Sequence, residues 1–67
     1  MSTTSYTVTG MTCEHCVASV TEEIGEIAGV TGVDVDLPTG AVTVTSEGEV
    51  SPDAVRDAVH EAGYQLA

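Results

Sequence analysis

Two cysteines, Cys13 and Cys16, hold all the thiol chemistry of this chain, and both lie in the stretch Gly10-Met11-Thr12-Cys13-Glu14-His15-Cys16. A Cys-x-x-Cys pair serves soft metal ions, and it also serves thiol redox chemistry. In both, the thiolate is the reactive form. The stretch joins a strand-like run to a helix-like run, which puts Cys13 in a loop and Cys16 in the first helical turn. Unpaired backbone N–H groups and the positive end of a helix dipole favour thiolate there. The surrounding acidity, including Glu14, works the other way, so residue types alone do not sign the net shift.

Ligand type and number select among metals. Two thiolates and little else suit a soft ion content with few ligands, above all Cu(I). Structural zinc wants four ligands, and neighbours in so short a loop do not easily surround a tetrahedral ion. An iron–sulfur cluster needs four cysteines, which one chain lacks. His15 is an accessory candidate, either as a titrating neighbour that tunes the thiols or as a third ligand in a copper-bridged dimer. Met11 reads as core packing rather than a thioether ligand, and Thr12 as a hydroxyl cap on the first helix. His60 reads as a structural residue in the last turn of the second helix.

The flanking elements follow from hydrophobic periodicity. Ser5–Thr9 alternates as a half-buried strand with Tyr6 and Val8 on one face. From Cys16 to Ile27, the spacing of Val17, Val20, Ile24 and Ile27 predicts an amphipathic helix with Glu22, Glu23 and Glu26 opposite. Gly25 weakens its end, and Gly29 is its expected terminator. Val30–Leu37 and Ala41–Thr45 read as strands joined through Pro38-Thr39-Gly40 into an antiparallel hairpin. After a loop at Ser46–Glu49, Ser51 is placed to cap a second helix starting at Pro52, with Val50 and Val55 as a hydrophobic staple. Val55, Ala58, Val59 and Ala62 form its buried face, Gly63 closes it, and Tyr64–Ala67 is a final short strand. The order β-α-β-β-α-β predicts a ferredoxin-like α+β fold, a four-stranded antiparallel sheet with two helices on one face. Residues 1–67 read as one domain.

Composition narrows the partners. Eleven acidic residues face one basic residue, Arg56, giving a formal charge of −10 with no lysine. Such a surface repels nucleic acid and anionic membranes and favours cations or basic protein patches; it equally suits solubility or a high-salt setting. No apolar run is long enough to cross a membrane, and Met1–Ser5 lacks the features of an export signal. The expected location is the cytoplasm, where thiols stay reduced, without stable membrane association. A chain of 67 residues has little volume for an enclosed substrate pocket, so a carrier is expected rather than an enzyme.

On these residues the sequence resembles the heavy-metal-associated domains, and within them the small soluble copper chaperones of bacterial type. Gly10-Met11-Thr12-Cys13-Glu14-His15-Cys16 matches the family's Gly-Met-x-Cys-x-x-Cys loop, Ala62-Gly63-Tyr64 matches a later element near the metal, and the spacing between them fits over nearly the whole chain. The resemblance implies one Cu(I) held between Cys13 and Cys16 and handed to a copper-transporting P-type ATPase. It also implies Met11 tucked beneath the loop, Tyr64 packed beside the site, and a monomer in the absence of metal. Many members carry a lysine near the thiolates and this chain has none, so backbone N–H groups and the helix dipole must do more. A basic docking face is ruled out. Two other readings remain at this stage: a module for Zn, Cd or Hg, and a thiol–disulfide oxidoreductase. The absence of Trp or Pro around the cysteines and the short chain weigh against the last.

Overall fold

The computed structural model describes residues 1–67. Its elements are β1 (Ser2–Thr9), α1 (Glu14–Gly25), β2 (Val30–Asp36), β3 (Ala41–Ser46), α2 (Pro52–Glu61) and β4 (Gln65–Leu66). The strands form one antiparallel sheet in the order β2-β3-β1-β4, the ferredoxin-like arrangement expected from the pattern of elements. No helix is long and apolar enough to cross a membrane.

The core lies between the sheet and the helices. Val8, Val42 and Val44 point inward from β1 and β3 to meet Val20 and Ile24 of α1 and Val55, Ala58 and Val59 of α2. On the opposite face, Thr3 pairs with Thr45 and Ser5 with Thr43, so strand alternation leaves a surface of hydroxyl groups.

Several boundaries differ from the periodicity. β1 begins at Ser2 rather than Ser5, because its pairing with β3 runs out to Ser2–Ser46. Ser46 accordingly ends β3 instead of opening a loop; it is buried, and its hydroxyl donates to the Gly48 carbonyl. α1 starts at Glu14, two residues before its apolar period opens, and so has Cys16 in its first turn as expected; the Cys13 carbonyl accepts from the Cys16 and Val17 amides at 3.1 and 3.3 Å. The helix stops at Gly25, and tighter three-residue bonds carry the chain past Glu26 and Ile27. Gly29 has the anticipated positive φ of 91°, but in the turn leading to β2 and not at the helix end. Leu37 lies beyond β2 in the hairpin turn, and Tyr64 precedes the two-residue β4.

One irregularity positions an entire strand. Val30 pairs with Ser46 and Gly32 with Thr45, so Thr31 is the extra residue of a bulge. Without it, Val33 would face Thr43 on the hydroxyl surface. With it, Val33 and Val35 stand opposite Val44 and Val42 and pack against the core together with Val30.

The second helix follows its sequence signals closely. Ser51 Oγ accepts from the Asp53 amide at 3.2 Å, Pro52 opens the helix, and Val50 packs against the core that holds Val55. At its other end the Tyr64 amide bonds the Val59 carbonyl at 3.0 Å and the Gly63 amide bonds His60 at 2.9 Å. Gly63 sits at φ 95°. These are the two bonds of a Schellman cap, and they turn the chain sharply. The turn delivers Tyr64 to the end of the sheet where the cysteines lie.

Candidate metal centre

The thiol loop is built from three local devices. Gly10 takes φ 94° to turn the chain off β1, and a side chain there would begin 3.4 Å from Tyr64 Cδ1. Met11 is half-buried and packs against the core, anchoring the loop from below. Cys13 then adopts extended backbone angles as the N-cap residue of α1, and Cys16 occupies the first turn. Thr12 is not the cap. No side chain caps this helix, and Thr12 Oγ1 instead lies 3.9 Å from Cys16 Sγ. The cap position belongs to Cys13 because it is the last extended residue and its carbonyl takes the first helical bonds.

The two sulfurs are 3.4 Å apart; Cys13 is exposed, Cys16 is partly covered, and neither is in a disulfide. Metal–thiolate bonds of about 2.3 Å would enclose an angle of roughly 95° at that separation. A linear arrangement needs the sulfurs about 4.6 Å apart, so side-chain rotation of about 1 Å opens the pair for two-coordinate binding. No group of three or more Cys, His, Asp or Glu side chains is gathered to hold an ion. His15 is exposed, apart from such a group, and His60 is exposed in the last turn of α2. This donor set is short of the four that structural zinc takes and fits a soft ion of low coordination number.

The electrostatic sign that residue types left open is resolved by the local geometry. Cys16 is lowered to about 6, first by the Thr12 backbone, then by the Tyr64 hydroxyl and the Cys13 thiol, with burial opposing. Direct side-chain hydrogen bonds at Cys16 Sγ are made with Thr12 and Cys13; the Tyr64 hydroxyl makes none and acts as a neighbouring donor. Tyr64 is raised in turn, chiefly by its interaction with Cys16, then by burial and by the charge of both cysteines. The hydroxyl therefore stays a donor while the sulfur is charged. His15 is absent from the groups that shift Cys16, and neither is a lysine needed: short-range donors supply the stabilisation.

Sequence reasoning placed Cys13, Cys16, Met11 and Tyr64 together, and the structure brings these four to one end of the sheet. It missed the Thr12 backbone. Its one available signal was position, since the residue before an N-cap can aim its amide at the first turn. It also placed Glu23 on the outer side of α1, whereas Glu23 is half-buried and raised by desolvation and by Glu26, Glu61 and Glu22.

The fold and site define a small ferredoxin-like domain that presents an exposed thiol pair at a helix start. The heavy-metal-associated domain profile matches residues 5–65, and the chain belongs to that family. It is 41% identical over 61 residues to the copper chaperone CopZ of Bacillus subtilis, covering 90% of this chain and 88% of that protein. Among solved structures, a CopZ metallochaperone superposes with a TM-score of 0.92 at 34% identity, covering 98% of this chain and 100% of the other. A copper binding domain from HMA7, a P-type ATPase, superposes at 0.90 with 26% identity, covering 100% and 92%.

Proposed function

We propose that this chain is a cytoplasmic Cu(I) carrier, a single domain that binds one ion between Cys13 and Cys16 and passes it to a copper-transporting P-type ATPase. The observation that carries the reading is the sulfur pair at 3.4 Å, Cys13 exposed and Cys16 partly covered, with no third Cys, His, Asp or Glu gathered beside it. Kinship with proteins named copper chaperones and with a P-type ATPase domain supports it.

Ligand exchange follows from the low coordination number. A partner thiolate attacks the exposed ion, giving a three-coordinate bridged state, and one original sulfur leaves; a second partner thiolate then displaces the other sulfur, and the released pair returns to its own protonation equilibrium with solvent. The copper stays Cu(I) throughout, the ion is never free, and no bond of an organic substrate is made or broken. The protein acts as a carrier, not an enzyme. Met11 holds the loop from the core side, and Tyr64 keeps a donor near Cys16. The apo chain is a monomer, and a copper-bridged dimer is the form in which His15 reaches the ion.

Competition with a chromogenic Cu(I) chelator tests the ligands. One equivalent should be bound, and C13S or C16S should lose it; full affinity in both variants overturns the assignment. A parallel Zn(II), Cd(II) and Hg(II) titration tests the alternative cargoes, and insulin reduction tests thiol–disulfide chemistry. Transfer is read by mixing loaded protein with a metal-binding domain of a copper ATPase and following the metal after separation. Sizing during titration reports the dimer.

A further inference from the structure

The strongest feature the thiol site leaves unused is the distribution of charge. Of the eleven carboxylates, Arg56 contacts only Asp53 and Asp57, at 3.5 and 3.8 Å, both on the exposed surface of α2. The other nine have no basic partner. They are not gathered into an ion site, since no three converge; they spread over α1, β2, α2 and the loop between β3 and α2. Glu23 is partly desolvated and crowded by like charges from Glu26 just past its helix, from Glu61 on α2 across the contact between the two helices, and from Glu22. The apolar core that must hold this shell together has only eight buried residues, none aromatic; Tyr6, Tyr64 and the other hydrophobics packed against it are half-buried.

We propose that the stability of this chain depends on concentrated monovalent salt, because nine unpaired carboxylates around a small core repel one another in dilute buffer. The length scales set where the dependence falls. The molecule measures 30 × 19 × 18 Å, and the Debye length is about 30 Å at 0.01 M salt and about 3 Å at 1 M. In dilute buffer every carboxylate feels every other across the whole molecule; near 1 M only immediate neighbours interact. Self-repulsion of net charge opposes the compact state, and screening removes that opposition. The ion atmosphere does this without a binding site, so potassium and sodium chloride act alike. The inference is independent of the cargo and of the thiols.

Thermal unfolding of the reduced, metal-free chain, followed by circular dichroism at neutral pH, tests it. Between about 0.01 and 1 M KCl, Tm rises by about 10 °C or more and then levels off. E23Q/E26Q/E61Q neutralises three charges of the net ten. Repulsion scales with the square of net charge, so its salt-dependent rise falls to about half that of the parent. D34N/D36N, on the edge strand β2, gives the same trend with two charges removed and serves if the triple variant does not fold in 1 M KCl. A Tm that moves less than about 3 °C over the range overturns the proposal. So does an undiminished rise in both variants, or an equal rise in sucrose, which would assign the effect to solute exclusion.

Discussion

With Cys16 lowered to about 6, the Cys16 sulfur is about 90% thiolate at pH 7, against about 3% for an ordinary thiol near 8.5. The difference is roughly thirtyfold in the reactive form. Thiolate absorbance of the reduced apo protein should therefore rise with an apparent midpoint near 6, and C16S should remove that step. The order of causes makes a sharper demand. Cys13→Ala removes the third-largest contribution and Tyr64→Phe the second, while the Thr12 backbone, the largest, survives both. Cys16 in either variant should titrate higher than in the parent yet below the ordinary thiol range, and the doubly changed chain higher again. Linkage fixes the sign for stability. The folded-state value is depressed, so the Cys16 contribution is complete above the ordinary thiol value, declines as pH falls, and is lost below about 6. Soft-metal affinity should likewise fall more steeply below that midpoint, by roughly a further tenfold per unit, as the ion then displaces the Cys16 proton as well. A single thiol step in the ordinary range, or a midpoint unmoved by Tyr64→Phe, would refute the reasoning.

Glu23→Gln should stabilise the apo protein at neutral pH; because the carboxyl is raised in the folded state, the gain should vanish once acid has protonated it in both states. Ile24→Ala, at a fully buried position, should cost about 2–5 kcal/mol. A chain of this length has only about 3–10 kcal/mol in all, so urea unfolding should show a partly unfolded baseline in dilute buffer. Gly40→Ala should be as damaging for a backbone reason. Gly40 has φ 75°, and an added Cβ would lie 2.5 Å from the Val8 carbonyl oxygen, so a loss of at least about 2 kcal/mol is expected in the same assay.

Much of this protein is determined locally and is legible in the chain. Ser51-Pro52 starts α2 because the cap and the proline need no tertiary partner, and Gly63 ends it because only the left-handed conformation closes a Schellman turn easily. The pairing of Cys13 with Cys16 at a helix start is likewise set by three residues of spacing. The α1 boundary was less legible, since Glu14 and His15 are polar and carry no hydrophobic period even though they are helical. The bulge at Thr31 left a trace in the odd spacing of Val30 and Val33, but register is chosen by the strand alongside, not by the strand itself.

What only the tertiary structure decided is the chemistry of the thiol pair. Residue types set donors of one sign against acids of the other with no way to weigh them. Folding places the Thr12 backbone, Cys13 and Tyr64 around one sulfur, the last from nearly fifty residues away, and leaves most carboxylates in solvent. Donors beside the sulfur act on it at contact range, whereas each exposed carboxylate acts on it from farther off and through water. The sign at Cys16 is thus a property of distances, and a sequence lists residues without distances.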